Sequence, residues 1–188
     1  MYSFMVFLHI VGVLLMFGAV SLTLAAMVGL LVARHVMILR TWANFAVKMD
    51  GLLPPSAVFV IGPGIYLTIS AWGWQTAWIN MSLVLLLFMC MAGPVINLPR
   101  LKRIAAAANE HPLEHMSEAL QIECRNVVLW RSVSMMALQL IAIVYMMTMK
   151  PSIIGAIVAV MVCTIIGLVL AQFALYSTTK RPEMINNR

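Results

Sequence analysis

Five long, almost uninterrupted apolar runs constrain what this chain can fold into: Phe4–Ala33, Leu53–Ala71, Trp78–Leu98, Asn126–Met149 and Ser152–Tyr176. Each reaches the roughly 20 residues that a helix needs to cross the hydrocarbon of a bilayer. Backbone N–H and C=O groups find no water at that depth, so only helices and closed barrels cross it. Barrel strands would show short alternating segments, whereas these runs are continuous. The reading is an all-α polytopic membrane helix bundle of five transmembrane helices, forming a single transmembrane domain over residues 1–188. The first run has no basic leader and exceeds the apolar stretch of a signal peptide, so it reads as a span.

The residue balance agrees. The chain is 63% hydrophobic and 10% charged, where a soluble domain is about half apolar and a quarter charged. There is too little polar surface to clothe a soluble fold, so the lipid bilayer is the expected partner. The net charge of +6 belongs to residues beside the spans, which points to topology and anionic lipid. No basic patch with interleaved aromatics is present, so no nucleic-acid partner is expected. Cys90, Cys124 and Cys163 are far apart and indicate neither a disulfide framework nor a zinc site.

Lys and Arg set the expected orientation. Of the 12 basic residues, all but Lys150 lie after the first span, around the stretch between the third and fourth, or in the tail. The positive-inside rule then puts the N-terminus outside and the C-terminus in the cytoplasm. Trp72, Trp74 and Trp78 cluster at the outer boundary and Trp42 and Trp130 at the inner one, as an aromatic belt would. The only long polar stretch is the cytoplasmic loop 99–125. Within it, Pro112–Glu123 alternates acids with apolar residues, in the manner of an amphipathic helix on the membrane face. The fourth and fifth spans form a hairpin turned at Lys150-Pro151.

Chemistry-bearing residues are few. All six acids fall in segments expected to be cytoplasmic, which removes the midplane carboxylate that an ion pump needs. No catalytic residue is evident. His9 is the one ionisable group inside a span, about two turns into the first helix. An imidazole there needs a hydrogen bond, a cavity or a metal. Two readings stand: an axial ligand to haem iron or a copper ligand, or an interfacial histidine bonded to a neighbouring helix or to water. His35 is too far along the helix to complete a bis-histidine site, about 39 Å away. His111 and His115 belong to the loop, where a solvated helix start accounts for them.

Methionine is the remaining soft ligand, with Met5, Met81, Met146, Met147 and Met149 mapping near the outer face. Met81 is the candidate second ligand in a His/Met arrangement. The 17 methionines also read as flexible packing. Gly62-Pro63-Gly64 should kink the second span and let a flat ligand or another backbone come close. Gly93-Pro94 should bend the third. Ala25 and Gly29, small residues four apart, suggest close helix contact in the inner half of the first span.

The run Phe7-Leu8-His9-Ile10-Val11-Gly12 resembles the opening of the HemJ-type protoporphyrinogen oxidases, of related uncharacterised integral membrane proteins and of CopD-like copper-resistance proteins. The likeness continues through Pro63-Gly64, the tryptophan-rich turn and Trp78 opening the third span, over roughly the first hundred residues. It implies haem b held by His9, with Gly62, Pro63, Gly64 and Trp78 around it, in the bacterial inner (cytoplasmic) membrane. HemJ-type enzymes carry an essential lysine just after the third-span tryptophan, and this chain has Ser82 there. The uncharacterised branch is therefore the nearer likeness, and an independent oxidase is not expected. Three functions follow: haem-b binding for electron transfer or tetrapyrrole handling; a cofactor-free accessory or assembly subunit of a larger respiratory-type complex; or copper handling by His and Met. Other membrane subunits or further copies of the chain are the expected protein partners.

Overall fold

The computed structural model describes residues 1–110 and 117–179. Every regular element among them is helical: α1 (Tyr2–Val32), α2 (Val36–Asp50), α3 (Leu53–Leu67), α4 (Ala77–Ala92), α5 (Leu98–Glu110), α6 (Glu118–Cys124), α7 (Val127–Met149) and α8 (Ile153–Thr179). Wider π turns, Thr68–Trp72 and Gly93–Asn97, extend α3 and join α4 to α5. Five helical stretches are long and apolar enough to span a membrane: Tyr2–Val32, Val36–Trp72, Ala77–Glu110, Glu118–Met149 and Ile153–Ser177. The protein is thus an all-α polytopic bundle.

Segments expected as connections are helical too. Residues between the first two apolar runs form α2, and α5 occupies the start of the expected 99–125 loop. The reason is periodicity. In α2, Val36, Leu39, Ala43, Ala46 and Asp50 are buried, at alternating spacings of three and four that line one helix face. Arg40, Thr41 and Lys48 fall between them. Arg40 also ties α2 to α5, donating from Nε to the Ala108 carbonyl at 3.1 Å and from Nη2 to that of Asn109 at 3.1 Å. Of the expected amphipathic segment, Glu118–Cys124 is helical, with Ser117 accepting from the Leu120 N–H as N-cap. His111, Glu114 and His115 lie outside the described residues.

The same spacing organises the main helix pair. Gly12, Met16, Ala19, Thr23, Ala26 and Leu30 are buried on α1, at steps of four and three. This is the seam of two helices wound closely around each other. The facing seam runs through α2, across the Gly51-Leu52 turn and on through Ala57, Val60 and Pro63 of α3. Three approaches give the antiparallel register. Gly29 faces the Trp42 indole, Gly12 faces the Phe59–Val60 backbone, and His9 faces Val60 and Gly64. Gly29 therefore does sit at a close crossing, but its companion is Ala26, fully buried, while Ala25 is exposed.

The other half of the molecule is built on the α7–α8 hairpin. Lys150 closes α7 in the left-handed conformation (φ 49°), and Pro151 follows, so the turn is where the sequence puts it. A Cβ on Gly167 would come within 2.9 Å of the Met135 backbone, so these helices touch main chain to main chain. Gln139 of α7 crosses to α8, its amide donating to Thr164 Oγ1 and, at 3.2 Å, to the Val160 carbonyl.

Two apolar cores stack along the bundle. One joins α1, α3, α4, α7 and α8 through Met16, Val60, Leu86, Leu140 and Met146. The other gathers the far ends of α1, α7 and α8 with α2, α5 and α6, through Met27, Leu39, Leu101, Ile104 and Leu129. At about 46 Å, α1 outruns a hydrocarbon layer of about 30 Å, which leaves room for the second core beyond it. Trp130 belongs to that core at 2% exposure, its Nε1 donating to the Cys124 carbonyl. It is a core residue where an interfacial one was expected. Trp72 and Trp74 are exposed at the opposite end.

Asp50, in a segment that the sequence assigns to the cytoplasmic side, occupies a seam position and is 4% exposed. The seam continues through the Gly51-Leu52 turn, and this draws the carboxyl inside.

Candidate functional site

His9 lies on the face of α1 that meets α3. Its Nδ1 is 2.8 Å from the carbonyl oxygen of Val60. A carbonyl only accepts, so Nδ1 carries the hydrogen, and in the neutral ring Nε2 keeps its lone pair. Pro63, inside the helix, has no N–H for the Phe59 carbonyl four residues earlier and crowds that turn. The imidazole meets the next carbonyl along, that of Val60. Thr68 Oγ1 donates to the Gly64 carbonyl at 2.9 Å, satisfying the backbone where α3 widens into its π turn.

The ring borders a cavity of about 300 Å³ lined by Val13, Phe17, Gly64, Ser82, Ile143 and Met147, among other residues. Its lining is almost wholly apolar. The rim residues Ile10 and Leu14 are exposed, so the cavity opens sideways from the bundle. The space lies between the α1–α3 pair and the α4–α7 group. The haem reading expects the kinked second span to open a ring-sized gap against the first, and there is none between α1 and α3: a Cβ on Gly12 would stand 2.7 Å from the Phe59 carbonyl carbon.

Of the residues singled out from the sequence, His9 and Gly64 meet at this cavity. Pro63 is buried behind Gly64, shaping the helix without lining the space. Gly62 faces open surroundings, with nothing within 4 Å of a Cβ built on it. Trp78 turns away and stands edge-on to Trp72, with ring centroids 5.3 Å apart. Trp74 lines the cavity in its place. Lys150 Nζ sits 4.2 Å over the Trp72 ring, completing a cationic and aromatic cluster at this end. Met81 packs into the apolar core and is not among the lining residues, whereas Met16 and Met147 are.

Ser82, which stands where the HemJ-type pattern has lysine, is a wall residue of the same cavity. It is 1% exposed, donates to the Trp78 carbonyl at 2.7 Å and lies 3.8 Å from Met146 Sδ. Its signal in the sequence was a hydroxyl in an otherwise aliphatic run.

A metal-bound histidine characteristically gives its second ring N–H to a carbonyl or carboxylate, and His9 gives its own to Val60. Gly64 keeps the ring's flank free of a side chain, and the walls are apolar. At about 300 Å³ the cavity is at the lower end of the range for organic ligands, roughly 300–1,000 Å³, with its open side adding room. His9 Nε2 would be the nitrogen to hold an iron, and Met16 and Met147 are the lining thioethers. Among the described residues, no group of three His, Cys, Asp or Glu side chains converges.

The fold and cavity define a multi-pass membrane helix bundle with an imidazole-bearing chamber between its halves. No family model, curated protein or solved structure matches the chain.

Proposed function

We propose that this chain is a haem-b-binding membrane protein in which His9 is the axial ligand. The observation that carries the reading is the His9–Val60 hydrogen bond of 2.8 Å beside an apolar cavity. It fixes the tautomer and leaves Nε2 as the one imidazole nitrogen available to iron. A second observation supports it: His9 and Gly64, two of the residues that the HemJ-type likeness puts around haem, meet at this cavity beside Ser82, although Gly62, Pro63 and Trp78 do not line it. With Ser82 in place of lysine, protoporphyrinogen oxidation is not part of the proposal.

Bound haem would supply one-electron chemistry. The protein's own part is to hold the imidazole in one tautomer, exclude water with aliphatic walls and leave Gly64 bare beside the ring. The orientation belongs to the same proposal: the N-terminus, and with it the His9 chamber, faces outside, and the C-terminus faces the cytoplasm of a bacterial inner membrane. The asymmetry of the basic residues supports it.

A cofactor-free accessory subunit is the second reading, and α8 favours it. This helix is the most apolar span and the least buried, with 11% of its membrane window covered, which leaves a long face for lipid or another subunit.

One experiment separates the two: a reduced-minus-oxidised visible spectrum of the detergent-purified protein, beside a His9→Ala variant. The haem reading expects a b-type α-band that the variant lacks. No Soret absorbance in folded protein from haem-replete cells overturns it in favour of the accessory role.

A further inference from the structure

Asp50 stands alone among apolar neighbours. It is 4% exposed, and its Oδ1 meets no donor among the described residues. Leaving a buried carboxylate oxygen unpaired is costly, and the cost is relieved by a proton or by a cationic donor. The carboxyl forms one end of a second cavity of about 250 Å³, whose walls include Val20, Ala57, Ile61, Met89 and Met136. Asn97, just beyond the Gly93-Pro94 corner of this cavity, repeats the pattern. Its Nδ2 lies 3.1 Å from Sδ of the lining residue Met136, and its Oδ1 is also buried without a donor. Among the described residues, this end of the bundle therefore holds two acceptors without donors, one of them an acid.

The cavity's position indicates how a ligand arrives. Pro54, Val58 and Pro94 on its rim are exposed, so it opens laterally between α3 and α4 toward the surrounding lipid. Met16, Ile61 and Leu86 line both this cavity and the His9 chamber, forming a wall between two stacked spaces. Along the α2–α3 axis the two ends lie about 18 Å apart. The second site is thus distinct from the first, with a different chemistry at its end.

We propose that the Asp50 cavity binds a lipophilic primary amine in its ammonium form, taken from the bilayer. The ammonium group donates to the Asp50 carboxylate, and the hydrocarbon body lies against Ala57, Ile61, Met89 and Met136. A hard metal cation does not suit the site, since it asks for about six oxygen ligands and the walls are aliphatic, thioether and the Cys90 thiol. A neutral apolar molecule would leave the carboxyl as it is. An ammonium ion with an apolar body meets both demands, and a charge-assisted hydrogen bond in such surroundings is among the stronger ones.

The test uses the full chain in detergent with two probes of the same shape, tritiated 4-phenylbutylamine and 4-phenylbutanol, in equilibrium binding. Saturable binding of the amine, at least about tenfold tighter than that of the alcohol, is expected. Asp50→Asn should bring the amine down to the alcohol's level and leave the alcohol unchanged, which also reports that the variant's cavity is intact. His9→Ala should bind the amine as the native protein does, so this proposal and the haem proposal fail separately. Equal affinity for the two probes on the native chain, or no saturable binding, overturns the proposal without recourse to any variant. Undiminished amine binding by a folded Asp50→Asn protein overturns it as well.

Discussion

Gly64 lies against the imidazole of His9 so closely that a Cβ there would stand 3.2 Å from Cε1 and 3.3 Å from Nδ1. Gly62, two residues earlier in the same motif, has nothing within 4 Å of its own Cβ position. The two glycines therefore answer alanine differently. Gly64→Ala must push the ring and strain its bond to Val60, costing about 1–2 kcal/mol as overpacking does. Gly62→Ala should be neutral or slightly stabilising. Thermal unfolding in detergent ranks them, and equal midpoints for both variants would refute the contact. In protein carrying haem, only Gly64→Ala should also disturb the Soret band.

A similar contrast tests the α1 seam. A Cβ on Gly12 would meet the α3 main chain at 2.7 and 2.8 Å, while Gly18 has nothing within 4 Å. Backbone cannot swing aside as a side chain can, so Gly12→Ala forces the helices apart, with an expected loss of about 2–3 kcal/mol. Gly18→Ala removes a flexible residue from an open helix face and should gain up to about 1 kcal/mol. Opposite shifts of the unfolding midpoint in an SDS titration are the expected result.

Much of the fold was legible because lipid demands continuous apolar helices, and each of the five runs coincides with a helical stretch. The Lys150-Pro151 turn was legible for the same kind of reason, a proline opening a helix after a residue able to cap one. The helical character of α2 and α5 was also written in the sequence, as Val36, Leu39, Ala43 and Ala46 in the one and Leu101, Ile104 and Ala108 in the other, at steps of three and four. The basic residues among and beside them make both segments look like loops. What one sequence cannot convey is which carbonyl a histidine will meet 51 residues away. Nor can it show that Asp50, beside a Gly-Leu turn, falls on a seam position and turns inward. Both depend on the register of α1 against α2–α3, which three glycine contacts set only after the chain has folded.

Gln139 offers a measure of how the second hairpin holds together. Its amide bridges to Thr164 and Val160 of α8, and its Oε1 is buried without a donor among the described residues. Hydrogen bonds between membrane helices contribute about 0.6 kcal/mol on average and seldom more than about 1.7. Gln139→Leu keeps the volume, removes the bridge and also removes the unpaired oxygen, so its net cost should stay below about 1 kcal/mol. Gln139→Ala loses the packing as well and should cost about 2 kcal/mol or more. The order of the two in SDS unfolding checks the account. A Leu variant no better than Ala would mean that the bridge, and not the volume, holds α7 to α8.

The proposed orientation has its own test, and it bears on both cavities. Replacing Cys90, Cys124 and Cys163, the three cysteines of the chain, by alanine gives a background for single reporters. Ser3 and Arg103 are exposed at opposite ends of the bundle. Ser3→Cys should react with a membrane-impermeant maleimide in intact cells, and Arg103→Cys only after permeabilisation. That result places the His9 chamber toward the outer leaflet and the mouth of the Asp50 cavity toward the inner one, where a lipophilic amine crossing the membrane would be held on the cytoplasmic side. The reverse pattern would invert the bundle, and with it the side from which each cavity is reached. It would also mean that the clustered basic residues are retained for a reason other than topology.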